Sequence, residues 1–507
     1  MRSFSITLFL LLSIIVTNHS IYSWRLLFGR PLNKHGLLGL PSPRNHSATE
    51  SSSSNVREEW FEQKLDHFDP TNLMTWKQRY FINDQRFNRS NGSPIFLQLG
   101  GEGEANPIWL KYGQIATNYG PHYQALQILL EHRYYGQSRP TKNMSTENLR
   151  YLTSEQALQD AANFIEFIND KYGLTNGHNK WIVFGGSYSG SLAAWFRMKY
   201  PHLVAGAIAS SAPVQAVLDF KDYIRVVDKS LGEQCVREIQ SATNDLTRLI
   251  KSPNNWPEVG KKFMLCTPFD GSNPLDVSNF FSNLAGNFEG VVQYNKDNRA
   301  FEGVPGTNIT IDTICSVMTD LNSNMNSIER IAKVNQILLD STLQKCLEYR
   351  YDDYVKKMLV VDFDKTEVPS ARQWIYQTCS EFGFYQTSDL DDQPFGRYFP
   401  IKFFTQQCMD IYGAEFNKNF IENSIDFTNN YYGGFNLTVS NVMFINGRID
   451  PWHALGVLHD INPTARAFVM KETAHCADMY PDSEQDPLSL KSTRNMIKKM
   501  IGKFIEN

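Results

Sequence analysis

From Trp60 onward, short apolar runs alternate with amphipathic segments, the pattern of a mostly parallel sheet covered by helices. Residues 95–99, 125–130, 181–184, 204–209, 442–445 and 467–470 are the runs expected to form buried strands. Residues 154–172 place Leu158, Ala161, Ala162, Ile165 and Ile168 at helical spacing, and 189–200 form a second expected helix that Pro201 stops. Between about 216 and 425 the strand signals fade and helical periods dominate, as in 239–250 and 328–340. A last helical pattern, 488–505, gathers lysines near its end, where cations suit the helix dipole.

The expected architecture is α/β, with a core in two parts, 58–215 and 426–507, interrupted by a helical insertion at 216–425. The 507 residues are 42% hydrophobic and 20% charged, enough for a sizeable core and too little charge for a disordered chain. Lys plus Arg number 49 against 53 Asp plus Glu, a net charge of −4. No basic excess is present to hold a phosphate backbone, which excludes nucleic acid as the main partner.

Arg2, the apolar stretch 6–16 and the polar residues through Ser23 form the layout of a secretory signal peptide over residues 1–23. That stretch falls well short of the roughly 20 apolar residues a bilayer span needs, and no later stretch spans either, so no stable membrane span is expected. Residues 24–57, with Pro41, Pro43 and four consecutive serines at 51–54, read as a leader or propeptide. In the secretory pathway the sequons at Asn45, Asn88, Asn91, Asn143, Asn308 and Asn436 become glycosylation candidates. All 7 cysteines fall between Cys235 and Cys476, so disulfides would staple the insertion, with about fifteen pairings open to six of them.

The most specific local signal is 181–190, Trp-Ile-Val-Phe-Gly-Gly-Ser-Tyr-Ser-Gly. A buried strand runs through small residues into a helix, which is what a nucleophile elbow needs, because the sharp turn brings the backbones together around the nucleophile. Gly185 and Ser189 flank Ser187 at the two positions that must be small, although glycine is usual where Ser189 stands. The competing readings are a strand–helix turn without chemistry or a phosphate-cradling loop, but the P-loop lysine and the dinucleotide glycine spacing are both missing. A serine nucleophile needs a base oriented by a carboxylate, in the chain order Ser, Asp, His. Asp450 follows the strand 442–445 and His475 follows the strand 467–470, whereas His453 shares the turn of Asp450 and His459 precedes the last strand. The oxyanion donors expected are the Tyr188 amide and, from the glycine-rich end of the strand 95–99, the Gly101 amide. The polar group 131–136 reads as structural support around the site.

These residues resemble the proline-directed serine peptidase family of lysosomal Pro-X carboxypeptidase, dipeptidyl peptidase II and thymus-specific serine protease. The resemblance runs from about residue 60 to the end, through Leu65-Asp-His-Phe68, 100–103, 131–136, 185–187 with Ala194-Trp-Phe-Arg197 and Tyr200-Pro-His202, Asn446-Gly447 with Asp450-Pro-Trp452, and His475. It implies Ser187 as nucleophile, His475 as base and Asp450 as its orienter, on an α/β-hydrolase core with a helical cap. It also implies the pairs Cys235 with Cys315, Cys266 with Cys346 and Cys379 with Cys408, which leaves Cys476 outside the bridges. The pattern is closest to the thymus-specific branch. Where the proline-cleaving members carry a pocket methionine this chain has Ser191, which puts proline preference in doubt, and Trp452 is the other expected pocket wall.

The function expected is therefore a serine-type exopeptidase, a carboxypeptidase or a dipeptidyl peptidase, in the lysosome or vacuole or outside the cell. The alternatives are a serine esterase or lipase of the same fold and an inactive secreted binding protein. The expected partner is a peptide substrate, a homodimer is allowed, and the chemistry calls for no metal and no cofactor.

Overall fold

A computed structural model describes residues 26–27, 30–31, 55–174, 177–296, 308–342 and 344–506. The expected signal peptide, most of the leader and Asn45 lie outside the described residues. Strands β1 (Leu26–Leu27) and β2 (Arg30–Pro31) form a short antiparallel pair. The core strands are β3 (Arg57–Lys64), β4 (Thr75–Asn83), β5 (Ile95–Leu99), β6 (Leu126–Leu130), β7 (Trp181–Gly186) and β8 (Gly206–Ser210). After β9 (Val217–Asp219) and β10 (Gly383–Tyr385), which pair with each other, β11 (Val442–Gly447) and β12 (Ala465–Met470) complete the sheet.

The 8-stranded sheet has the order β12-β11-β8-β7-β5-β6-β4-β3. Neighbours from β12 to β6 are parallel, and β4 and β3 add an antiparallel edge. Successive residues of β5 alternate between two cores, as a period of two requires. Ile95, Leu97 and Leu99 face helices Ser154–Tyr172 and Tyr188–Lys199, while Phe96 faces the terminal helix Leu488–Glu506 through a layer that includes Phe184, Ile497 and Phe504. Both faces are covered, which explains why the inner strands read as continuous apolar runs.

The six expected strands all form, with ends displaced by a few residues. One expectation needs correction: β12 is an edge strand whose middle four residues are only half-buried, because nothing pairs beyond it among the described residues. Strand β3 went unread for the related reason that its sequence, REEWFEQK, carries the charges of an edge.

The insertion between the two halves of the sheet is helical, from Asp222–Leu231 through Lys418–Tyr432. The three bridges implied by the resemblance, Cys235–Cys315, Cys266–Cys346 and Cys379–Cys408, are formed within it. Among the sequons, Asn88, Asn91, Asn308 and Asn436 are exposed. Asn143 is half-buried, its side-chain oxygen accepting from the Ser145 amide and from Asn148. Among the described residues no helix is long and apolar enough to cross a membrane.

Candidate active site

The chain passes from β5 to β6 on one side and then returns to place β7 on the other side of β5. Such a reversal opens a crevice at the carboxyl ends of the two strands. The loop after β5 and the turn after β7 therefore lie side by side, carrying Gly101 and Ser187.

Ser187 links β7 to helix Tyr188–Lys199 at φ 59° and ψ −130°, a conformation that L residues avoid. Its amide donates to the Ser210 carbonyl at the end of β8. A Cβ on Gly185 would lie 1.9 Å from the Ser189 carbonyl oxygen, so glycine is obligatory two residues before the serine. Ser189, the departure from the usual elbow, is accommodated by two hydrogen bonds. Its hydroxyl donates to the Gly186 carbonyl at 2.9 Å and accepts from the Gly186 amide at 3.0 Å. The extra group therefore braces the turn.

Asp450 and His475 follow β11 and β12. Gly447 lets their loops meet, since a Cβ there would lie 2.4 Å from the Ala474 carbonyl oxygen. The Ile449 amide donates to the Thr473 carbonyl and ties the two loops together. Asp450 Oδ1 stands 2.9 Å from His475 Nδ1 and accepts from the Trp452 amide at 3.0 Å, with both side chains fully buried. The histidine loop also reaches the elbow. The Ser210 carbonyl that accepts from Ser187 lies 3.8 Å from Cys476 Sγ as well, and a Cβ on Gly186 would lie 3.0 Å from the same sulfur. Cys476 takes no part in the three disulfides and is buried. His453 Nδ1 donates to the Asp450 carbonyl at 2.6 Å, and His459 is exposed.

Of the expected oxyanion donors, Tyr188 begins the elbow helix, and Gly101 faces Ser189 at ordinary contact distance. The sterically tight glycine of that loop is Gly100, where a Cβ would lie 2.8 Å from the Leu130 carbonyl oxygen. Tyr188 is also held through its side chain. His132 has its pKa lowered to about 4 by burial and is neutral, with Nδ1 beside the Arg133 carbonyl, so its Nε2 accepts from the Tyr188 hydroxyl. Gln377 of the cap donates to that same hydroxyl at 3.0 Å and accepts from Tyr135. The rest of the group 131–136 is likewise partnered: Arg133 grips Asp160 at 2.6 and 2.7 Å, and Glu131 accepts from Arg79 and Ser138.

Trp452 lies among Phe220, Tyr223 and Phe384, an apolar wall beside the histidine. Ser191 is buried on the elbow helix, where its hydroxyl donates to the Pro213 carbonyl. The cap closes over the site through the end of helix Pro274–Gln293, a contact the sequence reading missed. The Gln293 carbonyl accepts from the His475 amide at 3.0 Å, and the Tyr294 ring stands edge-on to the imidazole. No local motif marks these two residues, and only their place at the end of a long amphipathic helix distinguishes them. Among the described residues no group of His, Cys, Asp and Glu is placed to hold a metal ion.

A serine on a strained elbow, beside a buried carboxylate–imidazole pair, is suited to acyl transfer. Comparison with known proteins agrees. The family described as serine carboxypeptidase S28 matches residues 63–497. The thymus-specific serine protease of Mus musculus is 33% identical over 459 residues, covering 88% of this chain and 87% of its own. The human thymus-specific serine protease is 32% identical over 461 residues, covering 88% and 86%. The human lysosomal Pro-X carboxypeptidase is 29% identical over 488 residues and covers 93% of each chain. With the fold, the disulfides and these matches in agreement, the chain belongs to the serine carboxypeptidase S28 family and is a serine peptidase of the secretory pathway.

Proposed function

We propose that Ser187, His475 and Asp450 are the nucleophile, the general base and the orienting carboxylate of an exopeptidase. The observation that carries the reading is the buried 2.9 Å contact between Asp450 and His475, next to an elbow that only glycine at 185 permits. In this mechanism His475 takes the Ser187 proton as Oγ bonds to the substrate carbonyl carbon. The Tyr188 and Gly101 amides receive the developing oxyanion. The C–N bond then breaks as His475 returns the proton to the departing amine. A water deprotonated by His475 next cleaves the ester and frees the acid product. Trp452 and its aromatic neighbours form the pocket for the side chain at the cleaved bond, and Ser191 supports the elbow helix from behind.

Action at a chain end is supported by burial. Ser187 is 4% exposed under the cap, and an internal stretch of a folded protein does not thread such a site. In this reading the cap comprises residues 216–425, and the enzyme works in a lysosome-like or vacuolar compartment. A serine acyl-enzyme serves a carboxypeptidase and a dipeptidyl peptidase equally, so the choice rests on the charge the cap offers to a chain end.

Ser187→Ala is expected to lower peptide hydrolysis on the order of 10⁴-fold, the loss typical of removing a triad member. A variant within tenfold of the parent on the same peptide mixture, read by mass spectrometry, would overturn the assignment.

A further inference from the structure

We infer that Glu289, Asp228 and the side-chain amide of Gln293 form a subsite for the amino-terminal residue of the peptide, so that the enzyme removes dipeptides from the amino end. The inference deepens the reading of Ser187 as nucleophile and rests on it.

Gln293 fixes the geometry. Its Oε1 accepts from the Trp452 indole N–H at 3.1 Å and from the Tyr223 hydroxyl at 2.6 Å. An indole nitrogen only donates, so the atom it faces is the amide oxygen, and Nε2 points the other way. Gln293 is fully buried, yet Nε2 has no hydrogen-bond partner among the described residues. One turn earlier on the same helix face stands Glu289, 4% exposed, whose Oε1 is also unpartnered. Helix Asp222–Leu231 packs against this helix and brings up Asp228, whose Oδ1 is unpartnered as well.

Buried carboxylates ordinarily take a cation. Here the cations of helices Asp222–Leu231 and Ser327–Ser341 lie elsewhere, Lys229 and Lys333 being exposed. Arg225 pairs with Asp222, and Arg330 pairs with Glu238. Burial pushes Glu289 up to about 8, with Asp228 adding its repulsion, and pushes Asp228 up to about 7. The cluster thus offers two carboxyl groups and one amide donor, all unmatched, at the end of the helix that touches His475, and an ammonium brought against the carboxyls draws them back to the ionised form.

A ligand that completes such a cluster brings a cationic donor with a carbonyl acceptor close to it. The amino-terminal residue of a peptide has that chemistry, its ammonium for the carboxylates and its first carbonyl for Gln293 Nε2. A carboxyl terminus brings only acceptors and a charge of the same sign as the ionised pair. The reach also fits. One helical turn is about 5.4 Å along the axis, while each extended residue spans about 3.3 Å, so an amine held at Glu289 leaves one to two residues before the reacting carbonyl near His475. Ser187 then attacks the carbonyl of the second residue, the rest of the peptide departs as the amine when the C–N bond breaks, and water releases the dipeptide from the ester on Ser187.

The test compares the full-length enzyme with Glu289→Gln and Asp228→Asn on one peptide in two forms, free and N-acetylated. Products are read by mass spectrometry, and fluorophosphonate labelling of Ser187 is measured in the same samples. The wild type is expected to release the amino-terminal dipeptide from the free form and to spare the acetylated one. Glu289→Gln is expected to lose about 10- to 100-fold in kcat/KM on the free peptide, the range for a charged hydrogen bond, with most of the loss in KM. A merely structural role would leave the preference for the free over the acetylated form unchanged in both variants, and that result would overturn the inference. Release of a carboxyl-terminal residue from both forms would do the same. Failure of the wild type to label at Ser187 would instead sink the underlying reading of the nucleophile.

Discussion

At Ser187 the backbone is strained, because a positive φ of 59° holds a residue other than glycine at the turn from strand to helix. A non-glycine residue in such a region costs of order 1–3 kcal/mol, and the surrounding turn must enforce it. Gly185 is where that enforcement is tightest. Gly185→Ala is expected to lower the melting temperature and to reduce kcat/KM at least 100-fold; parental values for both would contradict the account of the elbow. Ser189→Ala removes only the brace to Gly186 and is expected to cost about 1 kcal/mol in a denaturant titration, as one hydrogen bond does, with activity largely kept. The requirement for small residues around the serine is steric and could be read from the sequence. The brace could not, because a serine hydroxyl in a sequence does not say what it binds, and Ser189 read only as a departure.

Among the elements, the cap segment around Gln377 acts as a buttress. Gln377 begins a chain of buried hydrogen bonds that runs to Tyr188, and its neighbour Glu381 accepts from it and from Ser154, with a pKa raised to about 7 by burial. Cys379 lies between them and is bridged to Cys408 on helix Ile401–Tyr412. The bridges Cys235–Cys315 and Cys266–Cys346 each span a sequence separation of 80, while Cys379–Cys408 spans 29. Chain entropy therefore assigns about 4 kcal/mol to each of the longer loops and somewhat less to the shorter. The expected outcome is a split. Removing Cys266–Cys346 by paired alanines should lower the melting temperature more and kcat little, whereas removing Cys379–Cys408 should lower kcat clearly. Equal kcat losses in the two double variants would contradict the buttress. Strands of the inner sheet and the long helices were readable because each has one period and one environment. Strands β3, β4, β9 and β10 were not, the first two because charged and polar residues interrupt this antiparallel edge and the other two because they hold three residues each.

For the whole molecule, burial leaves its mark on stability. It pushes Asp478 up to about 6, Asp228 and Glu381 to about 7 and Glu289 to about 8. Unfolded, these carboxyls release their protons near pH 4. Between about pH 4.5 and 6 the folded chain thus holds more protons than the unfolded one, and stability falls as pH rises, continuing until the highest of these values is passed. His132, lowered to about 4, acts in the opposite sense below its ordinary 6.5, one proton against the four carboxyls. The melting temperature is expected to be higher at pH 5 than at pH 8, and a flat or rising profile by calorimetry would contradict the burial of these groups. Such a profile suits an acidic compartment. The order of nucleophile, carboxylate and histidine was open to sequence reading because each follows its own strand. The subsite was not, since Asp228, Glu289 and Gln293 belong to two helices whose meeting only the fold decides. The central claim, that Ser187 is the nucleophile, is tested most directly by mapping a fluorophosphonate adduct by peptide mass spectrometry on the parent and on Ser187→Ala. The account predicts one adduct, on the peptide that carries Ser187, and none in the variant. An adduct on another residue, or labelling that persists without the Ser187 hydroxyl, would contradict it.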